Sequence, residues 1–117
     1  MADYGVVVTW GDPKAGREKK SLDLWTEVVT QNDKDVAEGL IDSWDAVVFE
    51  PSGTPPAGVM RCYGAREQID TYVQSETFQT NLIRASLLLH NVGMRRFRTG
   101  NALAEEFALF GRVVGEL

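Results

Sequence analysis

At 117 residues, 44% apolar and 25% charged, the chain has room for one domain with its own core and lacks the composition of a disordered segment. Its 12 basic and 17 acidic residues leave a net charge of −5, which repels phosphate backbones and anionic bilayers and argues against nucleic-acid and membrane partners. The single cysteine, Cys62, excludes an intrachain disulfide and an all-cysteine metal site.

Tyr4 to Trp10 carries Val6-Val7-Val8, apolar on both faces, as a central strand covered on each side requires. A turn from Gly11 to Gly16 follows. Leu22, Trp25, Val29 and Val36 then fall at offsets 0, 3, 7 and 14, which predicts a helix over about 17–38 with these four on its inner side. Gly39 suits the C′ position, because glycine enters the left-handed region without a Cβ clash. Ile41 to Glu50 alternates as a strand, with Trp44, Ala46 and Val48 on one side and Val47 and Phe49 on the other. The proline-rich stretch from Pro51 to Gly58 can join neither helix nor ladder, so Val59 to Tyr63 closes a long-looped hairpin.

Ile69, Tyr72 and Val73 share a helical stripe, but Phe78 breaks its register. Ser75 is therefore expected to cap a second segment carrying Phe78, Leu82, Ala85 and Leu89. Val92 to Arg98 is the last strand. Leu103, Phe107, Phe110 and Val114 form one stripe of a final helix from Ala102 to about Gly115, and Leu109, Val113 and Leu117 form a second.

The order β-α-β-β-α-β with right-handed crossovers leads to the sheet order 4-1-3-2 and both helices on one face. The fold class is α+β, a ferredoxin-like sandwich over residues 1–100 with an additional C-terminal helix over 101–117. That helix is expected to pack on the same domain or on a dimer partner. The second sheet face is apolar and needs a cover.

In its order, length and two-sided sheet, the stretch from Tyr4 to Thr99 resembles the dimeric α+β barrel superfamily of small ferredoxin-like proteins. Members of that group pair two sheets face to face. They include cofactor-independent monooxygenases, haem-degrading enzymes, lactone isomerases and many proteins of unknown activity. The resemblance implies a homodimer with a pocket and carries over no catalytic residue.

The candidate catalytic residues are His90, Arg61 and Tyr63. His90 is the chain's one histidine and the one side chain that ordinarily titrates near neutrality. It serves either as a general acid–base at a barrel mouth or as a helix-end cation. Arg61, on a central strand, must find a partner or water. The candidate ligand-binding residues are Arg61, as part of an anion site for a carboxylate or phosphate, and Tyr63, Trp10 and Trp44, which with Phe49 either shape a pocket for a flat ligand or are core or dimer contacts. Arg95, Arg96 and Arg98 form an anion site or protect a sheet edge, and alternation sets Arg95 on the opposite face from the other two. Cys62 reads as a buried inert thiol. Asp33, Asp35, Glu38, Asp42 and Asp45 lack calcium-loop spacing and read as a solvated helix end and hairpin edge.

Phosphate-loop, dinucleotide, CxxC and HExxH motifs are absent from the sequence. The Val59–Tyr63 strand also lacks the aromatic RNA-recognition pattern. No cofactor and no metal are expected. Nothing at the N-terminus resembles a signal peptide, and the apolar run at Leu87-Leu88-Leu89 is too short to span a bilayer, so the expected location is cytoplasmic. Two functions remain. One is a dimeric small-molecule-binding or assembly protein. The other is a cofactor-independent monooxygenase or isomerase acting on a small acidic aromatic compound. A closed apolar cavity reached by Arg61 or His90 favours the enzyme.

Overall fold

Val6 stands opposite Cys62 on one side and Arg96 on the other, and Val8 stands opposite Met60 and Met94. This register organises the molecule. The computed structural model describes residues 2–117. Its elements are β1 (Tyr4–Trp10), α1 (Glu18–Ala37), β2 (Ser43–Val48), β3 (Gly58–Gly64), α2 (Arg66–Gln74), α3 (Glu76–Leu88), β4 (Gly93–Arg98) and α4 (Gly100–Glu116). The sheet order is β2-β3-β1-β4 with every neighbouring pair antiparallel. This is the ferredoxin-like arrangement the sequence predicts, with β1 and β3 central.

Val6, Val8, Met60 and Cys62 point toward the helices and form a buried core with Ile41, Ile69, Tyr72, Val73 and Phe78. Ser75 breaks the second helical region as expected. Its Oγ accepts from the Phe78 amide at 3.1 Å and donates to the Tyr72 carbonyl at 2.7 Å, ending α2 and starting α3 with one side chain. Gly39, at φ 78°, follows the last turn of α1, where a Cβ would strain the backbone.

The inner face of α1 differs from the expected stripe. Leu22 is 63% exposed, whereas Leu24, Asn32 and Asp35 are buried, with Trp25, Val28 and Val36 packed against the core. The inward positions 24, 28, 32 and 35 keep helical spacing, but two of them hold polar residues that an apolar count passes over. Asp35 is accordingly not part of a solvated acidic helix end.

β4 is an edge strand, and its arginines alternate as expected. Arg96 pairs with Asp70 of α2 and Arg98 with Glu106 of α4, while Arg95 is exposed. Beyond Glu106 every residue of α4 is exposed. The radius of gyration, 16.2 Å, exceeds the about 13 Å of a compact chain of this length, because α4 stands away from the rest. Among the described residues, no helix is long and apolar enough to cross a membrane.

Candidate functional site

Between the helix-covered sheet face and α1 with α3 lies a cavity of about 380 Å³. Val8 and Met60 line it from the sheet, and Leu24, Trp25, Val28 and Phe78 from the helices. Trp10 lines it from the end of β1, and its indole needs Gly58 opposite. A Cβ on Gly58 would come within 2.4 Å of the ring, so glycine at that register position gives the indole its seat. Trp10 packs on Trp25 with ring centroids 5.4 Å apart, and Trp25 packs on Trp44 at 6.1 Å. The Trp44 indole donates to Asp33 Oδ1 at 2.9 Å, which fixes the outer end of the aromatic row.

Polar groups gather at one side of this apolar space. Tyr72 Oη donates to Asn32 Oδ1 at 2.6 Å, and Cys62 Sγ donates to Tyr72 Oη at 3.5 Å. Asn32 is 2% exposed, and its Nδ2 donates to Met60 Sδ at 3.2 Å. A thioether is a weak acceptor, so this buried amide makes less of a hydrogen bond than an oxygen would offer it. Asp35, 5% exposed, accepts from Gln31 Nε2 at 2.9 Å.

Burial raises the Asp35 carboxyl above its usual range, and the Gln31 hydrogen bond opposes this in part. It pushes the Cys62 thiol up to about 11 and holds the Tyr72 hydroxyl well above the usual tyrosine range. Tyr72 and Cys62 therefore keep their protons at neutral pH. Cys62 is an unreactive thiol, as its sequence setting suggests. The charged residues lining the cavity are Glu18 and Asp35. No lysine, arginine or histidine lines it among the described residues.

The structure distributes the sequence candidates over three places. Trp10 lines the cavity and Trp44 lies one ring away. Arg61 and Tyr63 point to the opposite, open face of the sheet. There Arg61 makes a bidentate pair with Asp45, its cross-strand neighbour, at 2.8 and 2.9 Å, and Tyr63 packs edge-on against Phe97 at 5.4 Å. His90 is exposed between α3 and β4. Its backbone accepts from the Gly11 amide and donates to the Asp12 carbonyl, which ties that junction to the end of β1.

A second hollow, of about 490 Å³, lies between α2, the β1–β4 edge and the root of α4. Its Arg96 and Arg98 are paired with Asp70 and Glu106, and its Arg66 guanidinium lies over the Tyr4 ring, 5.1 Å from the centroid. Among the described residues, no cluster of histidine, cysteine, aspartate and glutamate is arranged to hold a metal.

Asn32, Asp35 and Tyr72 are the residues that sequence reasoning did not place in a site. Tyr72 was visible only as one apolar position of a stripe. Asn32 carried a usable signal, a polar residue at a core position of an amphipathic helix.

No protein-family model matches the chain, and no curated protein matches it. Solved structures do. A dimeric ferredoxin-like protein of unknown function from Bacteroides fragilis aligns with TM-score 0.60 and 6% identity, over 84% of this chain and 97% of the other. A dimeric ferredoxin-like protein of unknown function from Thermobifida fusca gives 0.57 and 7%, over 83% and 91%. A Deinococcus radiodurans protein, described provisionally as an antibiotic biosynthesis monooxygenase, gives 0.56 and 9%, over 86% and 93%. What they share with this chain is the fold. It bears out the ferredoxin-like fold expected from the order of strands and helices.

Proposed function

We propose that this chain is a small-molecule-binding protein that works as a homodimer and takes its ligand into the cavity between α1, α3 and the sheet. The observation that carries this reading is the cavity itself, apolar-walled with one underused amide at its side. Its volume lies within the range of ligand sites, which are mostly apolar with a few placed polar groups. The aromatic row of Trp10 and Trp25 suits a flat ring, and the Asn32 amide suits an oxygen that would replace Met60 Sδ as acceptor.

The ligand that fits is uncharged. A carboxylate entering this space would lose its hydration beside Glu18 and Asp35 and meet no cation. This weighs against an enzyme acting on an acidic aromatic compound, as does the placement of Arg61 and His90 outside the cavity. The homodimer is supported by the Bacteroides and Thermobifida neighbours, both described as dimeric, and by the open sheet face. There Val7, Val59, Tyr63 and Phe97 are half-buried, and Val47 and Phe49 are exposed.

The test is a charge series on one ring system. Calorimetric titration with 1-naphthol and 1-naphthoate is expected to show the neutral compound binding at least tenfold more tightly, with quenching of tryptophan fluorescence. Equal or tighter binding of the carboxylate would remove the neutral-ligand argument. Failure of both to bind, with no retained molecule in native mass spectrometry, would remove the binding reading altogether.

A further inference from the structure

The C-terminal helix is apolar where nothing in its own protomer touches it. Ala102 is its one buried residue, and Leu103 and Glu106 complete its root beside Phe97 and Arg98. Farther along, Phe107 and Phe110 are 65% and 64% exposed, and Leu109, Val113, Val114 and Leu117 are also exposed. With Leu103, these side chains present apolar surface on the order of several hundred Å². That is of the same order as the about 800 Å² that one partner supplies to a stable interface, and too much for a lone protein to leave in water.

We infer that α4 is an intersubunit arm, and that its apolar stripes are buried on a second copy of this chain. The inference rests on the homodimer proposed above and adds an element to it. Besides the area, two observations favour a second copy over other occupants. The arm does not close its own core. It carries Glu105, Glu106 and Glu116 against a single Arg112, a negative balance that suits neither an anionic bilayer nor the basic pattern of interfacial helices.

The geometry allows the crossing. At 1.5 Å per residue α4 is about 25 Å long, and facing sheets pack about 10 Å apart. An arm rooted at the β4 edge is thus long enough to pass the junction and lie on the partner. Two-fold symmetry makes the exchange reciprocal, so each dimer gains both arms.

The experiment is sedimentation over a dilution series with three proteins: the natural chain, Phe107→Ser/Phe110→Ser in the arm, and Val59→Asp on the open sheet face. The natural chain is expected to be a dimer. The arm variant is expected to keep its circular dichroism spectrum and to dissociate at a concentration at least tenfold higher. Unchanged dissociation of the arm variant would overturn the arm while leaving the dimer standing. If Val59→Asp stays dimeric while the arm variant does not, the arm holds and the sheet-face pairing falls. A natural chain that is monomeric at micromolar concentration overturns both. Unfolding of the arm variant would return α4 to the protomer's own core. Co-sedimentation with phosphatidylcholine–phosphatidylglycerol vesicles that the arm substitutions abolish would give the helix to a membrane instead.

Discussion

β1 and β3 present two faces made from alternating residues of the same strands, and the two faces are built on different terms. Toward the helices, Val6, Val8, Met60 and Cys62 are buried within the protomer. Toward the open side, Val7, Val59, Arg61 and Tyr63 remain partly accessible, stabilised locally by the Arg61–Asp45 pair and the Tyr63–Phe97 contact. The first face is a core, and among the described residues each of its buried side-chain polar atoms has a partner, the Asn32 amide only a thioether. The second is composed like a surface awaiting another surface. Apolar alternation on both sides of a central strand thus establishes that both faces need cover, without saying which cover the protomer itself provides.

The sharpest way to break this contrast is to truncate neighbouring residues on one strand. Met60→Ala empties a buried site and removes the acceptor of the Asn32 amide, so a loss of about 2–5 kcal/mol is expected in urea unfolding. Val59→Ala, one residue away and facing out, is expected to change protomer stability by about 0.5 kcal/mol or less and to act on association instead. Equal losses from the two would mean that the open face is already part of the protomer's core.

A smaller effect sharpens the polar side of the buried face. Tyr72→Phe removes the donor to Asn32 Oδ1 and leaves that oxygen buried without its partner, at an expected cost of about 1–3 kcal/mol. A loss near zero in the same unfolding assay would show that water or a rearranged Asn32 side chain replaces the hydroxyl.

The smallest effect is one of pH. Burial raises the Asp35 carboxyl in the folded state above its usual 3.8, so the native protein holds this proton more readily than the unfolded chain. The stability it contributes is full below 3.8 and is lost as pH rises through the raised folded value. Asp35→Asn keeps an acceptor for Gln31 and removes the titration. The difference in stability between variant and natural protein is expected to grow in the variant's favour across that window and then level off. A difference that is flat with pH would place Asp35 in contact with water.

Much of the architecture was legible in the chain. Period-2 and period-3.6 patterns located the strands and helices, Gly39 marked the end of α1, and the register slip between Val73 and Phe78 pointed to the cap at Ser75. These are local signals, carried by backbone sterics and the side-chain repeat. The candidate site was less legible, because it is made of residues that ordinary patterning treats as faults or as filler. Asn32 and Asp35 interrupt an apolar stripe, Tyr72 hides within one, and Gly58 matters through the ring above it.

By itself, then, the sequence determined the order of elements, the faces of each strand and the apolar character of the last helix, since each follows from the spacing of residues near one another in the chain. Only the tertiary structure decided that Arg61 would pair with Asp45 on the open face and that His90 would stay outside the cavity. It alone brought Asn32 to Tyr72 across 40 residues, and it alone left Phe107 and Phe110 uncovered. Those outcomes depend on which surfaces meet when the sheet and helices pack, and the pairing of surfaces is a property of the whole fold that no local period encodes.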